Sequence, residues 1–347
     1  MPEHTHPTHP AQPNAPAFTQ MPLFDRLRAS LLEDLAPDGD LTSQTLVPEG
    51  KRVEGEVLIK ADGRLCGLKL LPLIFQMAEQ FVSQPAAVRT WELYDAQDSA
   101  RAGKTEWDSV VKMHERNEKS GVSVNALKKD GESVTKGEIV ALLKGDARTL
   151  LAGERIALNL LCHLSGIATT TAVYVSKVAH TKARILDTRK TTPLWRDLEK
   201  YAVKCGGGEN HRRGLYDMVL IKDNHLALWG ANDPSGAVKA ARAKFPLVGI
   251  EVEVTTMEGL QNVCQNSSPT MILLDNFSLP NLRDAVAWCD EYFTHSGSEL
   301  PRPLLEASGG VTLETLTAIA ETGVDRVSVG ALTHSVKALD ISLELKI

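Results

Sequence analysis

"VGIEVEVTTMEGLQNVCQNSSPTMILLDN", from Val248 to Asn276, reads as a complete structural unit. Two short β-branched and aliphatic runs, 248–254 and 271–275, flank the helical stretch "TMEGLQNVCQ". Strand, helix, strand is the repeat of a parallel α/β architecture, because parallel strands need a crossover long enough to hold a helix. The same alternation continues on both sides. "RILD" (184–187) and "MVLIK" (218–222) precede the unit, and "PLLEA" (303–307) and "DRVSVG" (325–330) follow it. "SGAVKAARAKF" and "TLETLTAIAETG" supply further helical connections. The count is six strands, short of the eight of a standard (β/α)8 barrel.

Chemistry gathers at the ends of these strands. Asp187-Thr188-Arg189-Lys190 closes the first, Lys222 the second and Asp275 the fourth, while Glu251 and Glu253 lie in the third. Ser308-Gly309-Gly310 follows the fifth and Gly330 ends the sixth. In parallel barrels the carboxyl ends of the strands face one common site. A single charged strand end means little; six that sort cations, carboxylates and glycines among them point to a site. Alternation puts Glu251 and Glu253 on one face of their strand, and the residues alone do not choose between them.

Residues 22–150 read as a separate mixed α/β domain. "RVEGEVLIKADG" alternates like a half-buried strand, "LKLLPLIFQMAEQFV" has helical spacing, and "VSVNALKKDGESVTKGEIVALLKG" reads as two strands around a glycine-containing turn. That last piece is similar to the hybrid barrel of lipoyl and biotinyl carrier domains, but Lys128 and Lys129 lack the flanks of a modifiable lysine. The polar, weakly periodic stretch 90–121 reads as an insertion, and residues 1–21, rich in Pro and His, as a disordered tail. Residues 151–347 hold a long helix followed by the barrel, with a return of the last residues to the N-terminal domain left open. On that helix Leu151, Ala157, Leu158, Leu161 and Leu164 supply an apolar face, and Arg155, Asn159 and His163 share a polar stripe.

Composition narrows the function. A chain of 347 residues suggests two domains. The formal net charge of -6 argues against a general nucleic-acid binder. Positive charge is instead local: Arg184 to His225 holds nine Lys/Arg against six Asp/Glu, which suits a small polyanion. Five cysteines without a C-x-x-C pair or zinc spacing lead to the expectation of a reducing cytoplasm. No uniformly apolar run suggests a membrane segment, so no membrane partner is expected.

Two means of holding anions recur. Gly309, Gly310 and Gly330 permit close backbone approach, "GGVTLETL" runs straight into a helix whose N-terminus favours phosphate, and Ser308 and His334 can add hydrogen bonds. Neither the Walker pattern nor G-x-G-x-x-G occurs. The second is the cationic group Arg189, Lys190, His211, Arg212 and Lys222, since guanidinium forks match carboxylates and lysines act on phosphate as point charges. "KCGGGENHRRGLYDMVLIKDNH" (Lys204 to His225) supplies much of this group, and its three glycines are expected to line the anion site with it. Glu253 and Asp275 suit Mg²⁺ shared with ligand phosphates, or ion pairs with the nearby lysines.

The segments "GERIALNLL", "DTRKTTP", "GGGENHRRGLYDMVLIKDNH", "VEVT", "LLDN", "EASGG" and "VSVGALTHS", with "DGDLTSQTLVPEG" near the start, closely resemble quinolinate phosphoribosyltransferases, the type II phosphoribosyltransferase family. The resemblance implies an open (β/α)6-type parallel barrel plus an N-terminal α/β sandwich domain. It implies transfer of the phosphoribosyl group of phosphoribosyl pyrophosphate (PRPP) to quinolinate with decarboxylation, Mg²⁺ as cofactor, and a homodimer capable of further assembly. By motif match, Thr188, Arg189, His211 and Arg212 would hold quinolinate, joined by Arg155 from the neighbouring subunit. Lys190 and Lys222 would contact quinolinate or the PRPP phosphates. Glu253 and Asp275 would serve Mg²⁺ and the ribose, and Ser308, Gly309, Gly330 and His334 the 5'-phosphate. Two alternatives stand beside this reading: a related paralogue with another acceptor, such as nicotinate, and a catalytically silent nucleotide binder.

Overall fold

The computed structural model describes residues 23–83, 121–230, 232–295 and 300–346. The tail expected at 1–21 and nearly all of the insertion expected at 90–121 lie outside them. Two compact units are present. One contains residues 23–52, 72–83, 121–123 and 145–156 among those described, and the other 53–71, 124–144 and 157–346. This grouping cuts the chain inside the long helix, whereas the sequence reading drew its boundary before that helix, at 150.

In order the elements are α1 (Leu23–Leu35), α2 (Leu41–Leu46), β1 (Arg52–Ile59), β2 (Gly63–Arg64), α3 (Leu71–Ser83), β3 (Ser123–Ala126), β4 (Ser133–Val134), β5 (Ile139–Asp146) and α4 (Ala147–Val178). The barrel follows: β6 (Arg184–Leu186), α5 (Arg196–Cys205), β7 (Val219–Ile221), α6 (Asp223–Trp229), α7 (Pro234–Lys244), β8 (Ile250–Val254), α8 (Met257–Asn266), β9 (Met271–Asp275), α9 (Leu279–His295), β10 (Leu304–Ser308), α10 (Leu316–Ala320), β11 (Arg326–Ser328) and α11 (Ala331–His334). A last strand, β12 (Ile341–Lys346), pairs antiparallel with β1, Ile341 opposite Ile59.

In the smaller unit α1 buries Leu23, Leu27, Leu31 and Leu35, one stripe of a 3.6-residue period. A four-stranded sheet in the order β12-β1-β5-β3, nearly all of it grouped with the larger unit, carries the half-buried alternation expected of β1. The piece read as two strands around one turn is three strands, β3, β4 and β5. Gly131 and Gly137, at φ of 91° and 90°, break the chain twice where the sequence reading allowed one turn. Lys128 pairs with Glu138 at 2.6 Å, so it is not the free tip lysine that a carrier domain presents.

The other sheet has six parallel strands in the order β6-β11-β10-β9-β8-β7. Chain order around it is unbroken except between β6 and β7, where the barrel stays open. Central strands carry apolar side chains on both faces: Met271, Ile272, Leu273 and Leu274 of β9 are all buried, as a parallel sheet covered by helices requires. The helices begin where the sequence offers caps. Thr256 Oγ1 accepts from the Gly259 amide at 3.1 Å ahead of α8, and Asp233 accepts from Gly236 at 2.9 Å ahead of α7, with Pro234 in the first turn. Helix α4 is long and apolar enough to cross a membrane by composition alone. Leu150, Leu161, Leu164, Ile167 and Ala168 are nevertheless buried within the protein, as in a core helix.

Leu274 is fully buried in β9. Leu274→Ala should therefore cost about 2–5 kcal/mol, read as a lowered midpoint of urea unfolding.

Candidate active site

The open seam of the barrel is where the site begins. A strand at a sheet edge carries unpaired backbone groups, and on β6 these are met by the segment that follows α5. The Glu209 amide donates to Ile185 O at 2.8 Å and the Asp187 amide to Glu209 O at 3.2 Å, a short parallel extension of the sheet. Arg212 reaches the other side of the gap, donating through Nη1 to Met218 O just before β7 at 3.2 Å.

The glycines ahead of this segment serve packing. A Cβ on Gly206 would fall 2.5 Å from Ala168 O and from Thr171 Cβ of α4, and one on Gly208 would fall 2.8 Å from Thr171 Cγ2 and Val203 Cγ1. Gly207 has φ of 89°. The expectation that these three glycines line the anion site is thus corrected: they let the chain pass against α4 and turn onto the edge of β6.

Beneath the loop lies a buried ion pair. Lys200 of α5 and Asp187 at the end of β6 are 1% and 0% exposed in their side chains and bonded directly to each other. Burial pushes the Asp187 carboxyl up and the Lys200 amine down, each opposed by the partner's charge. Asp187 also accepts the His211 amide at 2.9 Å, and Lys200 donates to His211 O at 3.1 Å. With its amide nitrogen turned inward, Asn210 donates to Asp187 Oδ2 at 2.8 Å and to Lys200 O at 2.9 Å.

His211 points its ring at two fully buried carboxylates, Glu251 Oε2 at 2.9 Å and Glu306 Oε1 at 3.5 Å. Its Nδ1 accepts the Arg212 amide at 2.7 Å, so the resting proton sits on Nε2 between the glutamates. Burial pulls the His211 pKa down, the two carboxylates push it up, and the net shift is upward. Both ring nitrogens are therefore occupied. Of the expected carboxylate clamp, Arg189 and Arg212 offer guanidinium groups, and Arg189 Nε is buried without a hydrogen-bond partner. Burial and then the neighbouring Arg189 lower the pKa of Arg212. Thr188 Oγ1 accepts the Lys190 amide at 3.1 Å and shapes the turn.

The carboxylate and phosphate side is assembled from β7 to β11. Lys222 Nζ lies 2.5 Å from Glu253 Oε2, and its amide donates to His225 Nδ1 at the start of α6. Glu251 is wholly buried and Glu253 slightly open, so the structure separates two residues that alternation left equivalent. Asp275 accepts from Asn276 Nδ2 at 2.8 Å, and the Asn276 amide donates to Ser308 O at 3.0 Å. Gly309 and Gly310 have φ of 95° and 59°, and a Cβ on Gly309 would fall 2.2 Å from Asn276 Oδ1. Gly310 faces open space. At the last strand a Cβ on Gly330 would lie 3.0 Å from Lys190 Cδ and 3.1 Å from His334 Nε2, so these three residues adjoin. Thr333 Oγ1 donates to Lys190 O at 2.7 Å. The helix expected directly after the glycines begins only at Leu316 and spans five residues, so exposed backbone at Gly309 and Gly310, not a helix dipole, is what this loop offers an anion. Arg155 is exposed on α4 and belongs to the other compact unit. His163 of its stripe pairs with the buried Glu199 at 2.8 Å.

A model of the C-terminal domain of quinolinate phosphoribosyl transferase matches residues 167–344, and one of its N-terminal domain residues 77–165. The nicotinate-nucleotide pyrophosphorylase [carboxylating] of Mycobacterium leprae is 39% identical over 321 residues, 92% of this chain and 96% of that one. This chain belongs to the quinolinate phosphoribosyltransferase family. The structure of the nicotinate-nucleotide pyrophosphorylase of Francisella tularensis aligns with a TM-score of 0.72 at 32% identity, covering 92% of this chain and 95% of that one. Human nicotinic acid phosphoribosyltransferase, at 15% identity and a TM-score of 0.54 over 92% of this chain and 73% of that one, shares the fold. The fold alone therefore does not choose the acceptor.

Within this family member, sequence reasoning missed Lys200, Asn210 and Glu306. Glu306 had a signal, a lone carboxylate inside the apolar strand "LLEAS". Lys200 had none, because it stands beside the apolar positions of an amphipathic helix and reads as solvated.

Burial, and then Glu251, push Glu306 up to about 7 against the pull of His211. Its folded pKa lies above the ordinary 4.5, so its contribution to stability is complete below that value and is lost as pH rises through about 7. Glu306→Gln, fixed in the neutral form, should melt above the wild type near pH 8 and close most of that gap near pH 5, by thermal unfolding at the two pH values.

Proposed function

We propose that this protein joins quinolinate to PRPP with loss of CO2, giving nicotinate mononucleotide and pyrophosphate, as a Mg²⁺-dependent cytoplasmic homodimer. The observation that carries this reading is the division of one barrel mouth into two chemistries. A guanidinium pair, Arg189 and Arg212, stands at the seam, and a lysine–carboxylate–glycine set runs from Lys222 to Gly330. A dicarboxylate fits the first and a phosphorylated ribose the second. Arg155, from the neighbouring subunit, is assigned to the same dicarboxylate by motif match.

The chemistry asks mainly for alignment and charge. The pyridine nitrogen is a neutral nucleophile that needs no base, and a clamp on the two carboxylates aims it at the anomeric carbon of PRPP. As the bond to pyrophosphate breaks, positive charge grows on the ribose and negative charge on the leaving group. A fixed carboxylate answers the first and the lysines the second. The Lys222–Glu253 pair holds both charges ready at 2.5 Å and neutral overall. When a phosphate draws Lys222 away, Glu253 is left facing the ribose. Ring alkylation then makes the nitrogen an electron sink: the bond to the adjacent carboxylate breaks, CO2 leaves, and the carbon takes a proton from solvent.

The donor set at the mouth, carboxylates of Glu253 and Asp275 beside ligand phosphates, fits Mg²⁺, which takes few protein carboxylates. These two residues would hold it, and when bound it supplies further neutralisation of pyrophosphate.

Purified protein with Mg²⁺ and PRPP, offered quinolinate or nicotinate separately, should release CO2 and form mononucleotide from quinolinate alone. Product from nicotinate would overturn the acceptor, and product from neither would overturn the reaction. Arg212→Ala should raise the KM for quinolinate by about tenfold or more and leave that for PRPP within about threefold. Equal effects on both substrates would remove Arg212 from the clamp.

A further inference from the structure

The seam segment carries one arginine of the proposed clamp, yet it is a loop. Something must hold it to the tolerance that bidentate recognition needs, since a displacement of about 1 Å can cost about a hundredfold in rate. Past Arg212 the amides of Arg213 and Gly214 are held by Asp217, and ahead of it the backbone is held by the buried pair of Asp187 and Lys200. Among the described residues, every hydrogen bond that the side chains of Asp187 and Lys200 make outside their own pair goes to Asn210 or His211. The main-chain carbonyl of Lys200 also takes the Asn210 amide. The residue immediately after these two is Arg212, and its guanidinium is tied across the gap to Met218 O.

We propose that Lys200 and Asp187 are positioning residues for the dicarboxylate end of the site, acting through Asn210 and His211 on Arg212. The inference rests on the quinolinate reading above. An ion pair this deep is poor evidence of a stability device, because apolar replacements of similar volume are often neutral or stabilising. Its geometry answers a different need. Asp187 directly follows β6 and precedes Thr188 and Arg189, while Lys200 reaches it from α5, so strand, helix and loop meet at one point. Asp187 holds the amide of His211 and Lys200 its carbonyl, which fixes the peptide planes on both sides of that residue. Among the described residues the phosphate side is held by other contacts: Lys222 by Glu253 and His225, Asp275 and Gly309 by Asn276, and Lys190 by Thr188 and Thr333. The pair should therefore affect one substrate and not the other.

The test uses the full-length protein with Mg²⁺, PRPP and quinolinate. Asp187→Asn combined with Lys200→Met removes both charges while keeping size, and avoids stranding one buried charge. The folded double variant should show a KM for quinolinate raised by about tenfold or more and a KM for PRPP within about twofold of wild type. Adding Arg212→Ala to it should raise the quinolinate KM little beyond Arg212→Ala alone, since both changes disable the same clamp. Unchanged quinolinate saturation, equal rises for both substrates, or multiplicative effects with Arg212→Ala would each overturn the inference. If the double variant does not fold, Asn210→Ala cuts two anchors without exposing a buried charge. It should raise the quinolinate KM by about threefold with PRPP unaffected, and no change overturns the proposal. A wild type that fails to turn over quinolinate brings down the reaction reading, and the inference with it. A wild type that does, with variants that keep its KM, brings down the inference alone.

Discussion

Six parallel strands curl into a barrel here without closing it, and the unpaired edge of β6 is the constraint from which the site follows. Backbone groups at a sheet edge seek partners, and Glu209 provides them by running parallel to Ile185 and Asp187. To arrive there the chain must leave α5, cross the surface of α4 and turn, within a few residues. Gly206, Gly207 and Gly208 make that route possible, two by fitting against Ala168 and Thr171 and one by its left-handed backbone. The gap thus becomes a wall of the site, with Arg212 spanning it to Met218.

Charge is layered inside this wall. Glu251 and Glu306 lie fully buried behind the ring of His211, while Glu253 and Lys222 neutralise each other nearer the mouth. Burying carboxylates is costly unless a partner shares the charge. The His211 proton is the partner on offer, and the fold keeps it there by giving the other ring nitrogen to the Arg212 amide. The residues at the surface of the site are consequently those with compensated or solvated charge.

Much of this was legible in the sequence, for reasons that can be named. The strands of the barrel could be read because parallel strands buried on both faces are continuous aliphatic runs, and each carried a charged residue or a glycine in or just after its run. Glycines in "GGGENHRR" were visible, but their purpose was misread: a run of glycines beside cations suggests anion contact, and nothing in the chain reveals that Thr171, some 35 residues away, occupies the space a Cβ would need. The double break at Gly131 and Gly137 was hidden in the same way, since positive φ is a property of a turn and not of a composition. Alternation left Glu251 and Glu253 equivalent because it encodes the face of a strand and not depth along the barrel axis. Lys200 was invisible because helical spacing marks it as solvated, and only the meeting of α5 with β6 buries it.

Gly309 and Asn276 show what such packing means for inheritance. A Cβ at 309 would lie 2.2 Å from Asn276 Oδ1, and Asn276 itself holds a left-handed backbone, at φ of 55°, while its amide bonds to Ser308 O. The "LLDN" and "EASGG" segments, far apart in the chain, are therefore one interlocking part. A side chain can enter at 309 only if 276 shrinks or moves, which would loosen the neighbouring Asp275. Single substitutions along that route pass through a clash, so drift at these positions is confined to coordinated replacement, and the two motifs should travel together through descent as a pair.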